Sequence, residues 1–372
     1  MSPQLDVQLV AVVVAVACAL PGTFLVLRRM AMMSDAISHA ILPGIVVGFF
    51  LTESLASPLL LLAAAGTGVL TVALVEAIER TRLVREDAAM GLVFPALFSI
   101  GVLLIAQYAQ DVHLDTDAVL LGELAFVPFD RFTWGGTDLG PRALWLMGGI
   151  LGLNLLFLVA FYKELKLATF DPALAAALGF APGALHYVLM SLVSVTAVGA
   201  FDAVGSILVV ALMAGPPVTA YLLTDRLAVM IGGSALIGVG NALLGYYVAA
   251  GLDASIAGSM ATVTGLVFGL AVLFAPERGL VAAWLRHRRQ TDRFAVRMLA
   301  QALDDAGAAT LDTLPERLHR RFGWDRERAA AVIEQAVSSG VATRRNGALV
   351  LVDGAATAPP GRDTFATDAP AR

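Results

Sequence analysis

The chain has 372 residues, 58% of them hydrophobic and 15% charged, with a formal net charge of −5 and a mean hydropathy of +0.79. Such a composition excludes an ordinary soluble domain, and most of the chain belongs in lipid. The one cysteine, Cys18, excludes an intrachain disulfide and any cysteine-based metal cluster.

Apolar stretches of about 20 residues, long enough to cross a bilayer, recur through the first three quarters of the chain. Nine are expected, at about 8–27, 36–53, 58–78, 89–107, 142–162, 183–201, 203–223, 228–250 and 256–275. The first, LVAVVVAVACALPGTFLVL, has Asp6 before it instead of a basic start, and no small-residue cleavage site leads into soluble sequence. It reads as a retained span rather than a leader. Cys18 lies inside that span and reads as a packing residue.

Basic residues set the orientation. Placing the ends of spans 1, 3, 5, 7 and 9 on one side collects Arg28, Arg29, Arg80, Arg82, Arg85, Lys163, Lys166, Arg226 and Arg278 there, and that side is expected to be cytoplasmic. The opposite side holds Asp6, Glu53, Asp111, Asp115, Asp117, Glu123, Asp130, Asp138, Asp202 and Asp253 against Arg131 and Arg142. An acidic outer face favours approaching cations.

The start of span 2, MSDAISHAILPG at 33–44, carries the first chemical signal. On a helix, Asp35 and His39 share one face a single turn apart. A carboxylate with an imidazole suits a divalent transition metal, and ionisable groups within membranes are costly enough to imply a function. The bland alternative makes Asp35 part of a helix start and His39 a partner to a neighbouring helix. Pro43 and Gly44 are expected to interrupt the helix and free carbonyls beside the pair.

Other chemistry is missing. The two lysines, Lys163 and Lys166, sit in no GxxxxGK[ST] phosphate loop, so the chain is not an ATPase. HExxH and GxSxG are absent too, which leaves an enzyme reading without support.

LRRMAMMSDAISHAILPGIVVGF closely resembles the membrane subunit of ATP-binding-cassette importers for manganese, zinc and iron. Three further segments match that family in order: FYKELKLATFDPALAAALG at 161–179, LVVALMAGPPVTAYLLTDRL at 208–227 and LDASIAGSMATVTGLVFGLAVLFAPERG at 252–279. The resemblance implies that Asp35 and His39 are metal ligands in the translocation path. SDAISHA followed by LPG is similar to the manganese and iron branch, so manganese is the first expectation and zinc or ferrous iron the alternatives. It also implies that 161–179 is the coupling segment docked on a cytoplasmic ATP-binding subunit, with Lys163, Glu164, Lys166 and Asp171 as polar contacts. Without the resemblance, that segment reads as a loop with a short helix and apolar positions at Phe170, Leu174 and Leu178.

Between spans 4 and 5, AQYAQDVHLDTDAVLLGEL carries Asp111, His113, Asp115 and Asp117, and reads first as a solvated loop, with a metal relay or a docking surface as alternatives. His186, at the start of span 6 with no carboxylate partner in view, reads as structural.

After residue 279 the charge changes sign: residues 1–279 carry a net −8 and residues 280–372 a net +3. PERGLVAAWLRHRRQTDR reads as a helix leaving the membrane on its cytoplasmic side. Three helices follow, FAVRMLAQALDDAG, LDTLPERLHRRFG and WDRERAAAVIEQAVSSG, then a two-stranded wing turning at Asn346 and Gly347. This resembles the winged helix fused to metal-dependent repressors. Its third helix mixes Asp325, Glu327 and Glu334 with Arg326 and Arg328, a poor surface for phosphates, so DNA is not an expected partner.

The expected fold is therefore an all-α polytopic membrane protein of about nine transmembrane helices at 1–279, a small cytoplasmic winged-helix-like domain at 280–354, and a disordered tail at 355–372. The expected function is the permease of a bacterial inner-membrane metal importer. It holds no permanent cofactor and works as a homodimer or paralogous heterodimer in membrane lipid, with an ATP-binding subunit and an extracytoplasmic metal-binding protein. An ion-coupled carrier and a membrane-tethered transcription regulator are the rival classes.

Overall fold

The computed structural model describes residues 2–52, 58–108, 124–134, 137–306, 309–310, 313–345 and 347–352. Asp111, His113, Asp115 and Asp117, the turn residue Asn346 and the tail at 355–372 lie outside the described residues. The chain divides into two compact units, Met1–Gly279 and Leu280–Arg372.

In the first unit, α1 (Pro3–Leu27) is followed by a second span in two pieces, α2 (Met33–Ala40) and α3 (Leu42–Thr52), then by α4 (Pro58–Arg80) and α5 (Glu86–Tyr108). A hairpin of β1 (Arg131–Trp134) and β2 (Thr137–Pro141) precedes α6 (Arg142–Ala160). Two short helices, α7 (Tyr162–Phe170) and α8 (Pro172–Ala177), lead to α9 (Pro182–Val204), α10 (Ser206–Leu223), α11 (Leu227–Leu252) and α12 (Ile256–Phe274). Among the described residues, nine helices are long and apolar enough to cross a membrane.

Lipid tails are as apolar as leucine, so such helices associate through close packing and interhelical hydrogen bonds. The first span shows both at the centre of the bundle, packed against α6, α9, α10 and α11. Small side chains Ala15, Ala17 and Cys18 are fully buried along it. Asn154 of α6 donates to the Ala17 carbonyl of α1 (3.1 Å) and to Thr196 Oγ1 of α9 (2.9 Å). Thr23 of α1 donates to Ser234 Oγ of α11 (3.2 Å). A single residue, Gly205, joins α9 to α10 at φ 79, a conformation that only glycine adopts freely.

Among the described residues, the second unit has three helices, α13 (Leu280–Ala306), α14 (Leu314–Phe322) and α15 (Arg326–Ser338). Strands β3 (Ala309–Thr310), β4 (Ala342–Arg345) and β5 (Ala348–Leu351) form an antiparallel sheet in the order β3-β5-β4. The expected two-stranded wing thus gains a third strand. The expected membrane-exit helix and first domain helix are one element, because no glycine or proline interrupts 280–306. Leu299, Leu303, Leu318, Val332, Ile333 and Leu349 form the core of this unit.

Candidate metal centre

The turn after α1 positions the acid–imidazole pair. Arg29 takes a left-handed φ of 64, the Met30 N–H reaches back to the Leu25 carbonyl (2.8 Å), and the Met33 N–H bonds the Met30 carbonyl (3.0 Å). Helix α2 then starts at Met33, three residues ahead of the expected span boundary. On one face, His39 Nε2 lies 3.5 Å from Asp35 Oδ1, with the two side chains 36% and 35% exposed. The other face is buried: Ser38 returns its hydroxyl to the Ser34 carbonyl (2.8 Å), and Ser34 to that of Ala31 (3.0 Å). The expected interruption is confined to Ile41, and the helical path continues through Pro43. Proline has no amide hydrogen to give the His39 carbonyl one turn back.

Sequence alone puts the pair near a span end, yet it lies well inside the bundle. Ile37, between Asp35 and His39, packs at Gly68 of α4 and Ser194 of α9, both near the middle of their helices. A methyl group on Gly68 would sit 1.9 Å from Ser194 Oγ and 3.0 Å from Ile37 Cγ2, so glycine is what admits α2 at this depth. The His39 ring lies 5.9 Å from Phe94 of α5. Chain 28–33 therefore re-enters the bundle, which reconciles the local sequence with a deep site.

The pair is chemically incomplete. Among the described residues, no group of three or more His, Cys, Asp or Glu is placed to hold a metal. Divalent metals take about four to eight donors. The half-exposed face of α2 leaves room for donors from outside this chain.

The remaining candidates lie elsewhere in the first unit. Lys163, Glu164 and Lys166 stand on α7, with both lysines exposed and Glu164 half-buried. Asp171 is exposed, but it also caps α8 by accepting from the Leu174 N–H (2.9 Å). Leu165 and Ala175 anchor the two helices, while Phe170, Leu174 and Leu178 stay exposed.

One expectation is overturned. His186 has a carboxylate partner: its Nε2 lies 2.5 Å from Glu76 Oε1, off the line of an ideal hydrogen bond. Glu76 sits on α4, far away in sequence, and Tyr187 donates to its other oxygen (2.7 Å). Arg28 donates to His186 Nδ1 (3.0 Å). The signal in the sequence was Glu76 itself, a carboxylate inside an expected span.

At the other end of the bundle, Asp6 of α1 is fully buried and accepts from Arg131 Nη1 (3.0 Å). Arg131 also pairs with Asp138 across the hairpin. The Gly140 N–H donates to Asp138 (2.9 Å) and, ahead of Arg131, holds its carboxyl below the ordinary value. Asp138 and Asp6 in turn raise the Arg131 guanidinium.

Among the described residues, nine helices long and apolar enough to cross a membrane define a multi-pass membrane protein, with the acid–imidazole pair on a helix packed against α4, α5, α9 and α10. The chain belongs to the ABC 3 transport family, whose model matches residues 4–275. It is 45% identical over 351 residues to the zinc transport system membrane protein TroD of Treponema pallidum, covering 94% of this chain and 95% of that protein. It is 48% identical over 275 residues to the manganese transport system membrane protein MntD of Bacillus subtilis, covering 74% of this chain and 93% of that one. Among solved structures it is similar to PsaBC from Streptococcus pneumoniae in complex with Fab, with a TM-score of 0.61 and 27% identity over 75% of this chain and 94% of that chain. The TroD match is long enough to include most of the second unit.

Proposed function

We propose that this chain is the permease subunit of an ATP-driven importer of a divalent transition metal, with Asp35 and His39 as the ligands it contributes to the path. The observation that carries this reading is the pair itself: two donors on one helix face, a turn apart, deep in an apolar bundle. Manganese is the first cargo, supported by the SDAISHA–LPG spelling and by the manganese systems among the relatives. Zinc is the second reading, favoured by the TroD match over 94% of this chain. An oxygen and a nitrogen donor serve either ion, and selectivity follows geometry more than affinity.

The cytoplasmic side is the end holding Arg28, Arg80 and α7, with the N-terminus outside and the second unit inside. Its arginine and lysine content supports this side. ATP is hydrolysed by a separate subunit that seats on α7 and α8, whose exposed Phe170, Leu174 and Leu178 offer the apolar contact and Lys163, Glu164, Lys166 and Asp171 the polar rim. An extracytoplasmic binding protein delivers the metal, and a second permease chain, a copy or a paralogue, closes the path. The second unit is a winged-helix-like regulatory module. Arg328 is paired with Asp292 (3.3 Å) and Arg344 with Glu334, which leaves less basic surface for DNA.

The test is uptake of radiolabelled Mn²⁺ and Zn²⁺ by vesicles holding the permease with its ATPase and binding protein. ATP-dependent accumulation of one ion, lost in Asp35→Ala, supports the reading. Accumulation driven by an ion gradient without ATP overturns it in favour of a coupled carrier.

A further inference from the structure

Three spans and the α7 helix meet at one group. Arg28, the residue that ends α1, donates from Nε to Thr169 Oγ1 of α7 (3.3 Å) and from Nη1 to His186 Nδ1 of α9 (3.0 Å). An arginine only donates, so Nδ1 accepts, and the neutral ring carries its hydrogen on Nε2. His186 Nε2 lies 2.5 Å from Glu76 of α4 without the alignment of a hydrogen bond, and Glu76 also takes the Tyr187 hydroxyl (2.7 Å) and lies 3.5 Å from Arg80. Both His186 and Glu76 are largely buried, with side chains 15% and 16% exposed. A second metal station here is disfavoured, because the Arg28 cation occupies the imidazole nitrogen on one side and Arg80 flanks the carboxylate on the other.

Arg28 also opens the turn that leads to the metal pair. From it the chain runs through the hydrogen-bonded turn at Arg29 and Met30 directly into α2. A shift of α7 that pulls on Thr169 therefore reaches Asp35 and His39 through one side chain and one short, internally bonded stretch of backbone. Its third nitrogen, Nη2, is buried without a partner, so the fork holds a donor free to engage in another arrangement.

We propose that Arg28 is the positioning residue that couples α7 to the Asp35–His39 helix, gripping Thr169 on one side and the His186–Glu76 pair on the other. This rests on the reading of α7 as the ATPase seat and of α2 as the metal helix. Energetic coupling needs an element with two arrangements that both sites bias, and the spare donor of Arg28 gives this turn a contact to make in a second arrangement.

The experiment uses the full permease with its ATPase and binding protein in vesicles, comparing wild type with Arg28→Ala, Arg28→Lys, Thr169→Val and the Arg28→Ala/Thr169→Val double variant. Three quantities are read: Mn²⁺ bound by the permease, capture of the ATPase, and the increase in ATP hydrolysis caused by Mn²⁺-loaded binding protein. Mn²⁺ binding and ATPase capture should be unchanged. The Mn²⁺-stimulated increment should fall several-fold in kcat but not in KM for Arg28→Ala and Thr169→Val, with partial recovery in Arg28→Lys. The double variant should be no worse than Arg28→Ala, since both changes break one link. Full stimulation in either single variant, or losses that add in the double, overturns the proposal. Thr169→Val keeps the side-chain shape, so it decides the matter alone where Arg28→Ala does not insert. A wild-type permease that binds no Mn²⁺ or captures no ATPase overturns the underlying reading instead, and this proposal falls with it.

Discussion

On the proposed reading, Asp35→Ala and His39→Ala each remove one of the two donors placed on α2, so either variant should abolish metal uptake while inserting normally. Radiolabelled uptake, normalised to the amount of inserted protein, is the measurement, and ordinary uptake by both variants would sink the assignment. Gly68→Ala should act on the same helix from behind. Its methyl would press into Ser194 and Ile37, an overpacking cost of about 1–3 kcal/mol. The detergent-solubilised protein should melt at a lower temperature, and Ser194→Ala should restore part of the loss. The Asp35–His39 pair was legible in the sequence because both side chains lie on one helix, four residues apart. The His186–Glu76 pair was not, since only tertiary packing brings α4 and α9 together there.

The spans were legible from hydropathy, whereas the start of span 1 was displaced because a charged residue there finds a partner inside the protein. Asp6 looks like the outer limit of span 1, yet α1 runs back to Pro3, because Arg131 from the hairpin neutralises the buried carboxylate. That hairpin should be sensitive to acid. A carboxyl with a depressed pKa contributes stability that is present above the ordinary carboxylate range and is lost as pH falls through the lowered value. Hydrogen exchange of the strand amides at 131–134 and 137–140, corrected for intrinsic rates, should therefore stay slow through neutral and mildly acidic pH and accelerate below the usual carboxylate range. Asp138→Asn should be fast throughout. On the α7–α8 segment, Glu164→Lys and Asp171→Lys should each lower metal-stimulated ATP hydrolysis by the partner without changing metal binding. Asp171→Asn keeps an N-cap and removes only the charge, so it separates the cap from the docking contact. Crosslinkers at 164–178 that never capture the ATPase would leave α7 and α8 without a docking role.

For the molecule as a whole, the two units differ in what removal should do. The first makes its own backbone hydrogen bonds and buries its own core, so a chain ending at Gly279 should insert and transport, with a changed rate or a changed response to cytoplasmic metal. The tethered-regulator reading expects instead that the full chain shifts operator-like duplex DNA in a gel, at low and moderate salt, with or without Mn²⁺. Specific binding that survives moderate salt would favour it. The half-exposed Asp35–His39 face of α2, read as the metal site, also has a genetic consequence. Where the missing donors come from a second copy of this chain, one defective copy spoils a site that two copies share. An Asp35→Ala allele expressed at equal level beside the normal one would then leave roughly a quarter of randomly formed pairs intact, and the mutation would behave as dominant. Where the donors come from a paralogue, each mutant chain disables only its own complex, uptake falls by about half, and the normal allele masks most of the defect.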